Sequence, residues 1–271
     1  MTKVVLITGA SSGMGEITAR FLNENGYTVY AGTRNKSLAT PEIPGVNNIY
    51  LDVTDTNSME VAVSTIIAKE SKIDVLVNNA GFGLVSTAEE VTDEEIFKQF
   101  DVNVFGLMKM TRAVMPHMRK AKAGVIINIS SFLGKMGLPL LSQYNASKYA
   151  VEGFVDSIRF EMAPYNVRVH SIQSGLFGTN FVKKGLVANA STTSGNSPYK
   201  DLVAHFVPIV AKAINEGPSP QPIADAVKAI IEDSNSLIAI PVGAEATSFV
   251  PLRKTLSDED FETQVKETFG L

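Results

Sequence analysis

The amino-acid sequence predicts an α/β fold in which a parallel sheet of seven strands is doubly wound, with helices on both of its faces. Three observations predict it: seven short runs of mostly apolar residues, helical patterns lying between them, and no in/out alternation within the runs. Strands that read as unbroken apolar runs are buried on both faces, and strands separated by helices are joined by right-handed crossovers into a parallel sheet.

In chain order the first strand is residues 3–8 (KVVLIT), followed by a helix at about 13–25 and a second strand at 28–32 (TVYAG). The third strand, 48–53 (NIYLDV), leads to a helix at 57–70, and the fourth, 73–77 (IDVLV), to a long helix at 93–121. The fifth, 124–130 (GVIINIS), precedes a helix at 142–163, and the sixth is 167–172 (VRVHSI). A helix at 222–233 and a seventh strand at 237–241 (LIAIP) complete the series. The rhythm breaks between 185 and 220, at Gly185, the polar run 189–196 (NASTTSGN), Ser197-Pro198 and 217–222 (GPSPQP). A break that long in a compact domain is usually functional or disordered. Its place after the sixth strand, with apolar Leu186-Val187 and Phe206 to Val210 on either side, predicts a substrate lid over 176–220 within one domain of 1–271.

Composition narrows the function classes. With 271 residues, 45% hydrophobic and 19% charged, the chain has enough apolar material for a large core. A net charge of −4, and no basic cluster longer than Lys183-Lys184, leaves no footprint for a nucleic-acid backbone. There is no cysteine, which excludes disulfides, thiolate metal ligands and a thiol nucleophile. His117, His170 and His205 are scattered without ligand spacing, so no metal site is expected. The opening Met-Thr-Lys runs straight into Val4 to Ile7, and no later run approaches the roughly 18 apolar residues of a membrane span. A soluble, cytoplasmic protein is the expectation.

Chemistry begins at Thr8-Gly9-Ala10-Ser11-Ser12-Gly13-Met14-Gly15, between the first strand and the first helix. Glycines there permit a tight turn and the close approach of a pyrophosphate, to which the helix N-terminus offers free N–H groups and a positive dipole end. After the second strand, a carboxylate normally accepts from the adenosine ribose hydroxyls. This chain has Thr33 and Arg34 instead. A guanidinium can hold a 2′-phosphate through two charged hydrogen bonds, so NADP(H) is expected over NAD(H).

Tyr144 and Lys148 lie four apart on one helix face, where an ammonium can favour phenolate and bring the tyrosine toward a working pH. A pair of this kind also arises by chance in a chain with seven tyrosines. Ser131 gives the pair weight: it stands 13 residues earlier, at a strand's C-terminal end, where open α/β sheets bind ligands.

The spacing Gly-x-x-x-Gly-x-Gly, the turn Asn78-Asn79-Ala80-Gly81 and the set Ser131, Tyr144 and Lys148 resemble the short-chain dehydrogenase/reductase family, over residues 3 to about 180. The resemblance implies a single Rossmann-type domain and hydride transfer between NADP(H) and a carbonyl or alcohol. It implies Tyr144 as proton donor in reduction, Ser131 as the group positioning the carbonyl oxygen, with Ser130 its rival, and Lys148 as partner of Tyr144 and of the nicotinamide ribose. Asn103 matches the family's helix asparagine, which holds a proton-relaying water. Gly9, Ser11, Ser12, Gly13, Met14, Gly15, Thr33, Arg34, Asp52, Val53, Asn79, Ala80, Gly81, Gly175, Leu176 and Thr179 would bind the cofactor, with Asn78 structural. One departure stands out: the family's Pro-Gly is here Ser174-Gly175.

The lid residues Leu176, Phe177, Phe181, Leu186, Val187 and Phe206 point to an apolar substrate of hydroxysteroid or retinol size, as does a weak likeness of Pro241 to Ala246 to members acting on such compounds. Helices at 103–121 and 149–163 pair between subunits in the family, implying a homodimer or homotetramer. A non-catalytic NADP-sensing regulator is the rival function. It has no need of Ser131, Tyr144 and Lys148 together. A nucleotide-sugar epimerase would show another glycine spacing, and an enoyl reductase a wider Tyr–Lys separation.

Overall fold

The computed structural model describes residues 2–35, 43–179 and 185–271. The seven expected strands are β1 (Val4–Ile7), β2 (Thr28–Thr33), β3 (Asn47–Tyr50), β4 (Val75–Asn78), β6 (Gly124–Ser131), β7 (Val167–Ser174) and β9 (Ala239–Val242). They form one parallel sheet in the order β3-β2-β1-β4-β6-β7-β9. The order reverses beside β1, between β1 and β4, and the C-terminal ends of these strands open a crevice there.

β1 shows why the strands read as continuous apolar runs. Val4 and Leu6 join the apolar layer under α2 (Thr56–Glu70), α4 (Leu107–Ala121) and α5 (Ser142–Met162). Val5 and Ile7 point into the opposite layer, under α1 (Gly13–Glu24) and α7 (Gln221–Glu232). Successive side chains leave a strand on opposite faces, so a strand between two helix layers must be apolar at every position. One polar line crosses the sheet. Asn78 Nδ2 donates to Thr111 Oγ1 and Asn128 Oδ1, both at 2.9 Å, and Asn128 Nδ2 donates to the His170 carbonyl at 3.1 Å.

Four features differ from the expectation. The helix at 93–121 is broken: α3 (Asp93–Phe100), capped by Thr92 and Glu95 in a capping box, passes through a π-helical segment at Asp101–Gly106 into α4. Residues 185–220 contain α6 (Lys200–Asn215), whose Phe206 is fully buried. Two three-residue strands, β5 (Gly83–Val85) and β8 (Leu186–Ala188), pair in a parallel ribbon outside the main sheet. The C-terminus forms α8 (Ala244–Thr255) and α9 (Asp258–Phe269), and with α6 these build a third apolar cluster around Phe132, Phe206, Phe249, Phe261 and Phe269. That cluster packs beyond the C-terminal end of β6, beside the crevice. No helix among the described residues is long and apolar enough to cross a membrane.

Candidate active site

The turn after β1 is shaped by its glycines. Gly9 holds φ +65°, and a Cβ there would lie 2.7 Å from Ala80 Cα, so the chain passes against the β4 turn at backbone distance. Thr8 binds the two turns together: its hydroxyl accepts from Asn79 N and Ala80 N, each at 3.0 Å. Asn79 Nδ2 returns bonds to the carbonyls of Thr8 and Gly9 at 3.0 Å. Ser12, the N-cap of α1, makes no side-chain capping bond, which leaves the first-turn N–H groups facing the crevice.

The crevice is a cleft of about 480 Å³. It is lined by Gly9, Ser11, Ser12, Gly13, Met14, Arg34, Asp52, Val53, Asn79, Ala80 and Gly81, and by Ser131, Tyr144, Lys148, Gly175, Leu176 and Thr179, the last of which lies beside Gly13. Seventeen of the twenty expected site residues therefore meet in one place.

Three stand elsewhere. Thr33 is buried, and its hydroxyl accepts from Asn35 N at 3.2 Å; being at the end of β2, it points its side chain into the fold while Arg34 reaches the cleft. Gly15 packs against Asn79 Nδ2 and the Gly9 carbonyl, letting α1 lie close to the turn. Asn103 sits in the π-helical segment with its side chain fully used: Oδ1 accepts from Phe82 N at 3.0 Å, while Nδ2 donates to Phe82 O at 2.9 Å and Ser147 Oγ at 3.1 Å. It fastens the loop after Gly81 to α5. Phe181 of the expected lid lies outside the described residues.

The β6–β7 register sets Ser131 opposite Ser174. Ser131 Oγ accepts from Leu133 N at 3.2 Å and lies 3.4 Å from the Ser174 carbonyl, and a hydrogen bond with the Tyr144 phenol draws the phenol's pKa down. Burial acts more strongly in the other direction and pushes Tyr144 up to about 12. Lys148 Nζ donates to the Ile129 carbonyl at 2.8 Å and lies 5.7 Å from the centre of the Tyr144 ring. Burial brings this lysine down to about 8, against the opposing charge of Glu152. The lowered phenol expected from Lys148 is thus not what this arrangement produces, because burial dominates.

Most of the remaining lining is apolar; Leu186 and Val187 were expected of the lid, while the leucines between Ser131 and Tyr144 come from a stretch for which no role was expected. Leu133, Leu138 and Leu141 arrive from the stretch between Ser131 and Tyr144, Leu186 and Val187 from β8, and Val210 and Ile214 from α6. The signal was present, since a dozen residues joining two facing site residues must run along the rim. Phe82 and Lys98 also line the cleft.

The model of the short chain dehydrogenase family matches residues 3–190. The chain belongs to that family. It is 39% identical over 241 residues to a 3-ketodihydrosphingosine reductase of Bacteroides thetaiotaomicron, covering 89% of this chain and 88% of that protein. A cyclopentanol dehydrogenase of Comamonas testosteroni is 37% identical over 196 residues, 70% of this chain and 78% of that one. Among solved structures, a short-chain dehydrogenase from Streptomyces avermitilis superposes with a TM-score of 0.82 at 30% identity, covering 98% and 96% of the two chains. One from Burkholderia cenocepacia, solved with NADP, gives 0.75 at 26% identity over 99% and 97%. The protein is therefore a short-chain dehydrogenase by family and an oxidoreductase by class.

A nicotinamide dinucleotide, which the family implies, suits the residues present. The close-packed Gly9, the free first turn of α1 and the uncapped Ser12 form an anion cradle, and Arg34 supplies a cation at its edge.

Proposed function

We propose that this protein uses NADP(H) to interconvert an apolar ketone and its alcohol, working chiefly as a reductase. The observation that carries the reading is one cleft lined by Ser131, Tyr144 and Lys148, by apolar side chains, and by the glycine turn with Arg34. In the proposed site Ser11 to Met14 receive the pyrophosphate, Arg34 the 2′-phosphate, Asp52 and Val53 the adenosine, and Gly175, Leu176 and Thr179 the nicotinamide. Bound there, the nicotinamide supplies or accepts the hydride.

The chain's own residues manage the proton. Ser131 hydrogen-bonds the carbonyl oxygen, and Tyr144 gives its phenolic proton to the oxygen as negative charge develops on it. Burial keeps the phenol protonated at neutral pH, the form that donates when a carbonyl is reduced. Lys148 holds positive charge beside the phenolate left behind. Asn103 acts at one remove, by fixing the loop at Phe82 and the turn of α5 at Ser147.

We assign the lid role to residues 176–220, which include β8 and α6. Their Leu186, Val187, Val210 and Ile214 extend the apolar wall and favour a long or bulky hydrocarbon body. The similar 3-ketodihydrosphingosine reductase supports a long-chain ketone as substrate, and the NADP-bound neighbour supports the cofactor. The test follows NADPH and NADH absorbance with long-chain, cyclic and small polar ketones, for the wild type and Tyr144→Phe. The expected result is turnover of apolar ketones with NADPH that falls at least about 100-fold in the variant. Tight NADPH binding without turnover of any carbonyl or alcohol would replace this reading with the NADP-sensing one.

A further inference from the structure

One turn beyond Lys148 on α5, Glu152 is a buried carboxylate that the chemistry above leaves unused. Its Oε2 accepts from Gln173 Nε2 at 2.7 Å and Ser171 Oγ at 3.3 Å, both on β7, and pairs with Lys135 Nζ at 3.3 Å. Lys135 is its one ion-pair partner among the described residues, and that side chain is 30% exposed. Glu152 Oε1 has no hydrogen-bond partner among the described residues, and neither does the buried hydroxyl of Ser130 on β6.

Gly134 lies at the meeting point of these groups. A Cβ there would stand 3.0 Å from both Glu152 Cγ and the Lys148 carbonyl, and 3.1 Å from Ser130 Oγ. The cluster therefore occupies one small buried space directly behind the Lys148 backbone. A buried carboxylate with one free oxygen, balanced by a lysine that is 30% exposed, projects net negative field onto cations packed near it. Lys148 is such a cation: it stands four residues away on the same helix, and its backbone shares the space at Gly134 with Glu152.

We propose that Glu152 is a positioning residue for Lys148, holding the lysine in its ammonium form at the cleft, with Lys135 as the opposing weight. The proposal rests on the catalytic reading above. The sign follows directly: Lys148 is charged below its own pKa and loses that charge as pH rises through about 8, where the field of Glu152 resists the loss. Glu152→Gln removes the field, so deprotonation moves to lower pH. Lys135→Gln leaves the carboxylate uncompensated and moves it higher.

The experiment is the pH profile of kcat and KM for NADPH-linked reduction in the wild type, Glu152→Gln and Lys135→Gln. It is paired with a pH titration of the Lys148 Cε resonance in 13C-lysine-labelled protein, assigned by its loss in Lys148→Arg. The expected result is an alkaline limb of kcat, and a Lys148 titration, displaced about 1 pH unit downward by Glu152→Gln and upward by Lys135→Gln. An unmoved titration in Glu152→Gln, or displacement of both variants in one direction, overturns the proposal. Should Glu152→Gln fail to fold, Lys135→Gln at the exposed rim decides alone, by an upward displacement or none. If the wild type turns over no ketone, the functional reading fails while the Lys148 titration still judges Glu152.

Discussion

In the proposed reading, cofactor choice turns on the exposed Arg34. It lines the cleft at the end of β2, and no carboxylate among the described residues forms an ion pair with it. Its neighbour Thr33 is turned into the fold, so among the described residues at this strand end the proposed preference for a 2′-phosphate rests on the guanidinium. Arg34→Ala is expected to weaken NADPH binding about 10- to 100-fold, the loss of one charge-assisted contact of about 1.5–3 kcal/mol, with NADH nearly unaffected. Fluorescence titration with both cofactors checks this, and an equal loss for both would remove the assignment. Residue types at fixed spacing made this part of the site legible. Gly9 to Gly13, Asn79 to Gly81, Ser131, Tyr144 and Lys148 all converge because strand ends in a parallel sheet share one edge. What spacing could not convey is direction: Thr33 is turned into the fold, and the Asn103 amide is taken up by Phe82 and Ser147.

At the scale of elements, the stretch from Leu186 to Ser197 is held far more firmly than its polar composition suggests. Asn189 is buried: its backbone N–H donates to the Val85 carbonyl at 2.9 Å and its side-chain amide to Glu95 Oε2 at 2.7 Å, while Thr192 N donates to Asn189 Oδ1 at 2.8 Å. Thr87 N donates to the buried Thr192 hydroxyl at 3.2 Å. Asn189→Ala removes the centre of this network at a cost of about 1–3 kcal/mol. The expected outcome is a raised KM for a bulky ketone and faster amide exchange across residues 186–199. Unaltered exchange there would show the network to be dispensable. Polar residues read as solvated loop because a sequence does not reveal which of them find partners. Strands of three residues, β5 and β8, are too short to leave a period, and the π-helical break coincides with contacts to the loop at Phe82 that helical periodicity does not reveal. The C-terminal region carries readable signals of its own: Ser257 before Asp258, Glu259 and Asp260, and Gly270 at the other end, are start and stop signals of α9.

Across the whole molecule, most of the apolar surface goes into the two layers of the sheet and the C-terminal cluster, yet several aromatic residues remain outside. Phe105 is 45% exposed on the π-helical segment, and Tyr149 and Phe160 on α5 are 46% and 66% exposed. These belong to the helices that the family resemblance pairs between subunits. We propose a homo-oligomer built on that surface. Light scattering at micromolar concentration is expected to give a dimer or tetramer mass, reduced to the monomer by Phe160→Asp; a monomeric wild type excludes it.

The β5–β8 ribbon has a kinetic meaning. β5 begins two residues after Gly81, in the proposed cofactor floor, and its partner β8 carries Leu186 and Val187 of the apolar wall. On the proposed reading, the loop that seats the dinucleotide runs directly into one strand of this ribbon while the ketone's wall lies on the other, so the backbone itself would link the two binding events. Whatever settles the first strand prepares the second. Product inhibition should accordingly follow a compulsory sequence in which NADPH enters first and NADP leaves last, and random-order patterns would mean that the two strands move independently.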